Sequence, residues 1–103
     1  MSLSIKNPNS FSLQGDLNFS NASSIEKELD HALKSIISTL KIDLNDTQEI
    51  DSAGIALLMH IIQHCQSNNI DLQFTGLVSE NAKSLINIHG LDNLFSPFIK
   101  QYK

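Results

Sequence analysis

The chain contains no arginine. Its seven basic residues are all lysines, and they stand against eleven acidic residues, which gives a formal net charge of −4. Bidentate recognition of phosphate normally uses arginine, because the planar guanidinium offers paired donors to two phosphate oxygens. Attraction of lysine and arginine to phosphate also drives most binding to nucleic acid and to anionic membranes. Nucleic acid and anionic membrane surfaces are therefore excluded as preferred partners.

Cysteine is nearly absent, and long apolar runs are absent altogether. Cys65 is the single cysteine, so a disulfide framework within one chain is impossible, which suits a reducing compartment. No stretch approaches the roughly 20 apolar residues that a membrane-spanning helix needs. Residues 1–6 lack the apolar region of a secretory signal peptide. We therefore expect a cytoplasmic protein that does not insert directly into a membrane.

The sequence does contain enough apolar material for one packed core. It has 103 residues, of which 41% are hydrophobic, and this combination predicts a single folded domain. Apolar and polar residues alternate over residues 3–5 and 11–17, which predicts a hairpin, and two more strands are predicted at residues 40–44 and 72–74. Helical spacing of apolar residues predicts helices near residues 21–38, 53–67 and 80–89.

The predicted order of elements is β-β-α-β-α-β-α. Strands that alternate with helices form largely parallel sheets through right-handed crossovers. The hairpin at the start adds an antiparallel strand. We therefore predict an α/β fold with a mixed, mostly parallel sheet and helices mainly on one face.

The loop of residues 46–54 is the predicted functional site, because it joins the end of a strand to the start of a helix, where α/β proteins collect their sites. Ser52 lies at that helix start, and its hydroxyl can cap the helix, which is worth ~1 kcal/mol. It can equally carry a phosphate, because a helix N-terminus favours negative charge. That phosphate would add roughly −2 charges beside Asp46, Glu49 and Asp51. The residue pattern leaves both roles open.

The second helix offers a possible contact surface beside Ser52. Ile55, Leu58, Met59 and Ile62 already form the one apolar stripe that a helix needs to face a core. Leu57 and Ile61 are additional apolar residues outside that stripe. They either form an exposed recognition patch or lie under a neighbouring helix. Gly54 is expected to leave the turn open to a partner. We predict a partner-binding surface made of Glu49, Asp51, Ser52, Ala53, Gly54, Ala56, Leu57 and His60.

Catalytic and metal-binding patterns are weak. His60, His64 and Cys65 have a spacing that can bind zinc, but Ile61 stands where an H-E-x-x-H motif needs its glutamate. A magnesium cluster of acidic residues lacks the lysine expected at a neighbouring strand end; its members would be Asp43, Asp46, Glu49 and Asp51. No histidine has a sequence-level reason to reach Ser52 as a base. We therefore predict no catalytic residue, no metal site, no cofactor and no enzymatic activity.

Four motifs in order resemble STAS domains. Asp51-Ser52-Ala53-Gly54-Ile55 follows the strand Lys41-Ile42-Asp43-Leu44, and Gly15-Asp16-Leu17 precedes both. Leu72-Gln73-Phe74-Thr75-Gly76 and Gly90-Leu91-Asp92-Asn93-Leu94-Phe95 complete the set. D-S-x-G alone is a weak signal, whereas the ordered set is specific. The resemblance implies that residues 1–103 form one STAS domain, with a compact α/β fold and a protein partner.

The resemblance implies two different partners. In anti-sigma factor antagonists the serine that Ser52 matches is phosphorylated by a partner serine kinase that is also the anti-sigma factor. In the STAS subunit of Mla-type phospholipid ABC transporters the corresponding hydroxyl residue contacts the ATPase subunit without phosphorylation. The stretch of residues 53–60, with Ala56-Leu57-Leu58, is more similar to the transporter type, which we take as the first expectation. Ser52, where that type often has threonine, keeps the antagonist as the alternative.

Overall fold

The computed structural model describes residues 2–7, 9–36, 38–77 and 79–99, and the side chains of Ser2 and Asn7 are outside the description. Five strands are present in this part of the chain: β1 (Ser2–Asn7), β2 (Ser10–Leu17), β3 (Thr39–Asp43), β4 (Thr47–Ile50) and β5 (Asp71–Thr75). Four helices accompany them: α1 (Ala22–Leu33), α2 (Ser52–Ser67), α3 (Glu80–Ile88) and the short α4 (Asp92–Phe95).

The sheet is built around β2. Strand β1 pairs with it antiparallel, which confirms the predicted hairpin. On its other side, the first half of β2 pairs in parallel with β3, and the second half pairs in parallel with β4. Strand β5 pairs in parallel with β3 and completes the order β1-β2-β3-β5. The predicted α/β class with a mixed, mostly parallel sheet is therefore confirmed.

Alternation along the strands separates the two faces of the sheet. One face carries buried apolar side chains that form the core with the helices: Phe11, Leu13, Leu40, Ile42, Leu72 and Phe74. The neighbouring positions on β3 and β5 carry polar side chains such as Lys41 and Gln73. Helix α2 lies between α1 and α3 and contacts β4 and β5. Among the described helices, none combines the length and the apolar character needed to cross a bilayer.

The boundaries of α2 and α3 lie within one residue of the prediction, whereas α1 is shorter. The predicted helix of residues 21–38 ends at Leu33. Beyond it, Ser35 donates its hydroxyl to the Ala32 carbonyl, and its N–H also reaches that carbonyl three residues back. A serine that bonds locally to the backbone competes with helix continuation. Ile36 nevertheless remains buried, so the apolar periodicity continued past the helix itself.

Strand β4 was not predicted. Its sequence Thr47-Gln48-Glu49-Ile50 has only one apolar residue, so it lacks the alternation that identifies a half-buried strand. The other buried residue of the strand is Thr47, which is 1% exposed. Its hydroxyl donates to the Leu13 carbonyl at 2.6 Å. A satisfied hydroxyl replaces an apolar side chain there.

Of the two alternatives left open for Leu57 and Ile61, the structure shows burial under neighbouring helices, so the prediction that Leu57 is part of an exposed partner-binding surface is wrong. Leu57 is 3% exposed and Ile61 is fully buried. Because α1 and α3 flank α2, the apolar arc of this helix is wider than the single stripe that an edge helix would bury. Leu57 therefore belongs to the core.

Burial also makes the Cys65 thiol unreactive, since it raises the pKa of the thiol from 9.0 to about 11.

We expect Leu57→Ala to lower the free energy of unfolding by ~2–5 kcal/mol, because it removes buried methyl groups and leaves a cavity. Ile88→Ala is the matched control, since Ile88 is an apolar helix residue that is 71% exposed. That control should stay within about 0.5 kcal/mol of the wild type. Urea denaturation measures both variants. Equal losses in the two would contradict the burial of Leu57.

Candidate functional site

The start of α2 is capped by Asp51. Its backbone is extended, and its carboxylate Oδ1 accepts the N–H of Gly54 at 3.0 Å. Ser52 is therefore the first helical residue, and the capping role that the sequence left open for Ser52 belongs to Asp51. Both residue types cap helices well, so composition did not fix the first residue of the helix. Ser52 lies at the helix N-terminus as predicted, and it is exposed.

The second carboxylate oxygen of Asp51 reaches a different loop. Its Oδ2 accepts the N–H of Phe19 at 3.1 Å, across 32 residues of sequence. The Asp51 N–H in turn donates to the Leu17 carbonyl at 3.1 Å. One residue therefore joins the end of β2, the loop before α1 and the first turn of α2.

Gly54 is buried, and the prediction that it leaves the turn open is wrong. A Cβ atom at this position would lie 2.6 Å from the Leu17 carbonyl oxygen and 2.6 Å from Cγ2 of Ile50. Such distances cannot exist without movement of the backbone. Glycine is therefore required for the close approach of α2 to the end of β2, and the residue lies inside the site.

The loop between β2 and α1 is held by its own polar side chains. Asn18 accepts the N–H of Ser20 at 2.9 Å, and Asn21 accepts the N–H of Asn18 at 3.0 Å. Asn21 also donates to the Asp16 carbonyl at 2.8 Å. Between them, Phe19 directs an 84% exposed side chain outward. Sequence reasoning missed Phe19; the available signal was a lone aromatic residue inside the polar stretch Asn18–Asn21.

A groove of about 270 Å³ runs between α2 on one side and Phe19 with the start of α1 on the other. Small-molecule sites usually enclose ~300–1,000 Å³, so this one is smaller and more open than a typical ligand pocket. Leu57 lines it from the core side, and the predicted contact residues Ala53 and Ala56 also line it. The remaining lining residues are Phe19, Ala22, Ser23 and Glu26.

Among the predicted contact residues, His60 lies farthest along α2 from Ser52. Its Nε2 lies 2.9 Å from Oδ1 of Asp30, and both side chains are about half exposed, at 40% and 48%. The contact joins α2 to α1 one turn beyond the groove, so His60 has an intramolecular partner as well as an accessible ring. Glu49, at the other end of the predicted surface, is exposed, and its N–H donates to Asp16 at 3.2 Å.

The candidate metal ligands do not converge. Among the described residues, no three His, Cys, Asp or Glu side chains come together around one point. Asp43 accepts the N–H of Asn45 at 2.8 Å and so closes a turn. Cys65 is buried in the core, while His60 bonds Asp30.

Asn81 is a structural contact that the sequence did not single out. Its side chain donates to the Ile50 carbonyl at 2.8 Å and so joins α3 to the end of β4.

We expect Asp51→Ala to lower the free energy of unfolding by ~1–2 kcal/mol, because it removes a helix cap and releases the loop of Phe19. Asp51→Asn keeps one side-chain oxygen for the cap and should lose less. Asp71→Ala, at an exposed strand start, controls for the loss of a surface charge. Thermal denaturation at fixed pH compares the three variants. If Asp51→Ala and Asp71→Ala proved equally stable, the junction at Asp51 would be energetically unimportant.

Structural comparison finds similar folds at low sequence identity. The chain is 14% identical to the anti-sigma factor antagonist SpoIIAA in its unphosphorylated form, with 99% of this chain and 87% of that chain covered and a TM-score of 0.70. It is 17% identical to a putative anti-sigma factor antagonist of Thermotoga maritima (90% and 80% covered, TM-score 0.68). It is also 17% identical to a sulfate transporter family protein of Wolinella succinogenes (88% and 74% covered, TM-score 0.68). Identities this low establish the fold alone.

Sequence comparison is more specific about the family. No curated protein sequence matches the chain at a significant level. The family model of the STAS domain, however, matches residues 4–102, which is nearly the whole chain. That range includes the end of β2, the Asp51 junction at the start of α2, strand β5 and the turn at Gly90, where the four sequence motifs lie. The chain therefore belongs to the STAS domain family.

Proposed function

We propose that this STAS domain is a non-catalytic interaction module that docks a protein partner on the surface around Ser52. We define the Ser52 surface by its exposed and half-buried members: Glu49, Asp51, Ser52, Ala53, Ala56 and His60. STAS domains are generally regulatory modules, and proteins of the family interact with partners such as kinases. Leu57 and Gly54 support this surface from below, since both are buried.

The observation that carries the proposal is the free hydroxyl of Ser52. Asp51 supplies the cap, so capping does not occupy Ser52. Within the described part of the chain, the Ser52 side chain makes no hydrogen bond, and it is exposed on the first turn of α2. An exposed hydroxyl at a helix N-terminus, beside an open groove with small side chains, is available to a partner surface without any rearrangement.

The first specific assignment is the cytoplasmic STAS subunit of an Mla-type phospholipid ABC transporter, with the ATPase subunit as its partner. The similarity of residues 53–60 to the transporter type supports it. The groove supports it further, because Ala53 and Ala56 let a partner backbone or helix approach α2 closely. In this assignment Ser52 acts as a contact residue, and its hydroxyl stays unmodified.

The second assignment is an anti-sigma factor antagonist that a partner serine kinase switches by phosphorylating Ser52. The similar structures include SpoIIAA in an unphosphorylated and in a phosphorylated form. An exposed serine at a helix N-terminus supports this assignment, since the helix dipole and free N–H groups favour a phosphate there. The two assignments share the Ser52 surface and differ in whether the hydroxyl is modified.

We expect Ser52→Asp to fold normally and to bind its partner at least about tenfold more weakly. In the free protein the new carboxylate lies at a helix N-terminus, which favours it by ~0.3–1 kcal/mol. Where the partner surface is fitted to the neutral hydroxyl, the carboxylate would be buried without an opposite charge, at a cost of ~3–5 kcal/mol. The second effect is larger. Calorimetry with the purified ATPase subunit, or with the purified serine kinase, measures the change.

Ser84→Asp is the matched control, because Ser84 is an exposed serine on α3. It adds the same charge on a different helix, outside the residues that define the Ser52 surface, and should leave the affinity within about twofold of the wild type. If Ser52→Asp bound either candidate partner as tightly as the wild type, the Ser52 surface would not be the interface and the proposal would fail.

Phosphorylation distinguishes the two assignments. We expect an antagonist to accept one phosphate from its partner kinase and ATP, and Ser52→Ala to accept none, while Ser84→Ala behaves like the wild type. Intact-mass measurement detects the added phosphate. A wild-type chain that binds an ABC ATPase stably and stays unphosphorylated in its presence contradicts the antagonist assignment.

A further inference from the structure

Phe19 is the largest apolar side chain that the described structure leaves in water beside the proposed interface. It is 84% exposed, and it lines the groove that Ala53, Ala56 and Leu57 share. Leaving a phenylalanine in water forgoes the gain from burying it, which in binding corresponds to about tenfold to a hundredfold in affinity. Aromatic residues are enriched at the buried centres of protein interfaces, where a few of them provide most of the binding energy.

The backbone that presents Phe19 is fixed on both sides. Its N–H is bound by Asp51, and the N–H groups of its neighbours Asn18 and Ser20 are bound by Asn21 and Asn18. The backbone position from which the ring projects is therefore set by the same residue that caps the helix of Ser52. Because this loop is already ordered, binding costs little backbone conformational entropy, so more of the gain from burying the ring is available as affinity.

Charge indicates the chemistry of the partner. Asp16 and Glu49 are exposed and adjacent at the ends of β2 and β4, and Glu26 lines the groove itself. No basic residue is present among the groove-lining residues that the structure describes. A surface with these carboxylates at its edge is complementary to lysine or arginine on the opposite side, which steers association and selects the partner.

We infer that Phe19 is the apolar anchor of the partner contact, and that it enters an apolar pocket on a protein whose surrounding surface carries lysine or arginine. The inference rests on the proposed function, because it takes a protein to dock beside Ser52. It adds the residue that provides most of the affinity and the character of the surface that receives it. The carboxylates of Asp16 and Glu49 lie at the rim of this contact, and Phe19 lies within it.

The test begins with photo-crosslinking in cells. The crosslinking amino acid p-benzoylphenylalanine replaces Phe19 in one strain and Ile88 in another; Ile88 is a comparably exposed apolar residue on α3. We expect one protein to crosslink at position 19 and not at position 88. The crosslinked peptide should come from an apolar pocket bordered by lysine or arginine. Equal or absent crosslinking at the two positions would overturn the inference, as would crosslinking only to a second copy of this chain.

The crosslinked protein is then purified, and its affinity is measured for six forms of the full chain, one of which is Ser52→Asp. Phe19→Ala should bind at least about tenfold more weakly than the wild type, and Ile88→Ala should stay within about twofold. Asp16→Asn with Glu49→Gln should weaken binding by about twofold to fivefold at low salt and flatten its salt dependence. Asp71→Asn, which removes an exposed charge at the start of β5, should do neither.

The outcomes separate this inference from the proposed function. If Ser52→Asp abolishes binding of the crosslinked protein and Phe19→Ala leaves it unchanged, the Ser52 surface is the interface and the anchor is wrong. If both variants bind like the wild type, both proposals fail. A third outcome is that Phe19→Ala weakens binding while the variant with Asp16→Asn and Glu49→Gln binds like Asp71→Asn. In that case Phe19 is an anchor but the partner surface is not basic, and the inference as stated is overturned. Sedimentation of the wild type and Phe19→Ala identifies self-association, which would also overturn it.

Discussion

The two oxygens of the Asp51 carboxylate set the geometry on which the rest of this surface depends. One oxygen holds the first turn of α2 through Gly54, and the other holds the loop after β2 through Phe19. The same residue donates its N–H to the Leu17 carbonyl, so three segments that are far apart in sequence meet at one side chain. Gly54 completes the junction, because any larger residue would strike the Leu17 carbonyl. The relative position of Ser52 and Phe19 is therefore a property of the fold and does not depend on a partner.

The assignment of the cap to Asp51 has a functional consequence. A serine that caps its own helix must release a backbone N–H before its hydroxyl can bond to anything else, and that release costs ~1 kcal/mol. Ser52 carries no such cost, because the neighbouring carboxylate already satisfies the N–H of Gly54. The hydroxyl is then equally suited to contact an ATPase subunit or to accept a phosphate. Geometry at the site supports both assignments for this reason, and the choice between them depends on the partner.

Sequence periodicity predicted most of the fold and less of the site. The hairpin, β3, β5 and the bounds of α2 and α3 follow from alternation and helical spacing, because their apolar residues face a single core. Strand β4 was missed because Thr47 occupies its buried position with a hydroxyl satisfied by Leu13. Leu57 was placed outside because the width of a buried arc depends on how many helices flank α2, which a single helix cannot reveal. Phe19 was missed because the loop that presents it is held by Asp51, which lies 32 residues away in the sequence.

Apolar and charged contacts on this surface respond differently to ionic strength, and different segments of the fold provide them. Burial of an aromatic ring changes little with salt, whereas attraction between exposed charges weakens as ionic strength rises. Phe19 belongs to the loop that Asp51 anchors, while Asp16 and Glu49 lie at the strand ends, joined to each other by one hydrogen bond. In the proposed complex the partner covers Ser52, so a charge added there would lose its contact with water. There it is far more costly to bury than the rim charges are, because the rim remains in water. On this proposal, a single modification of Ser52 can control the contact while Phe19 itself is unchanged.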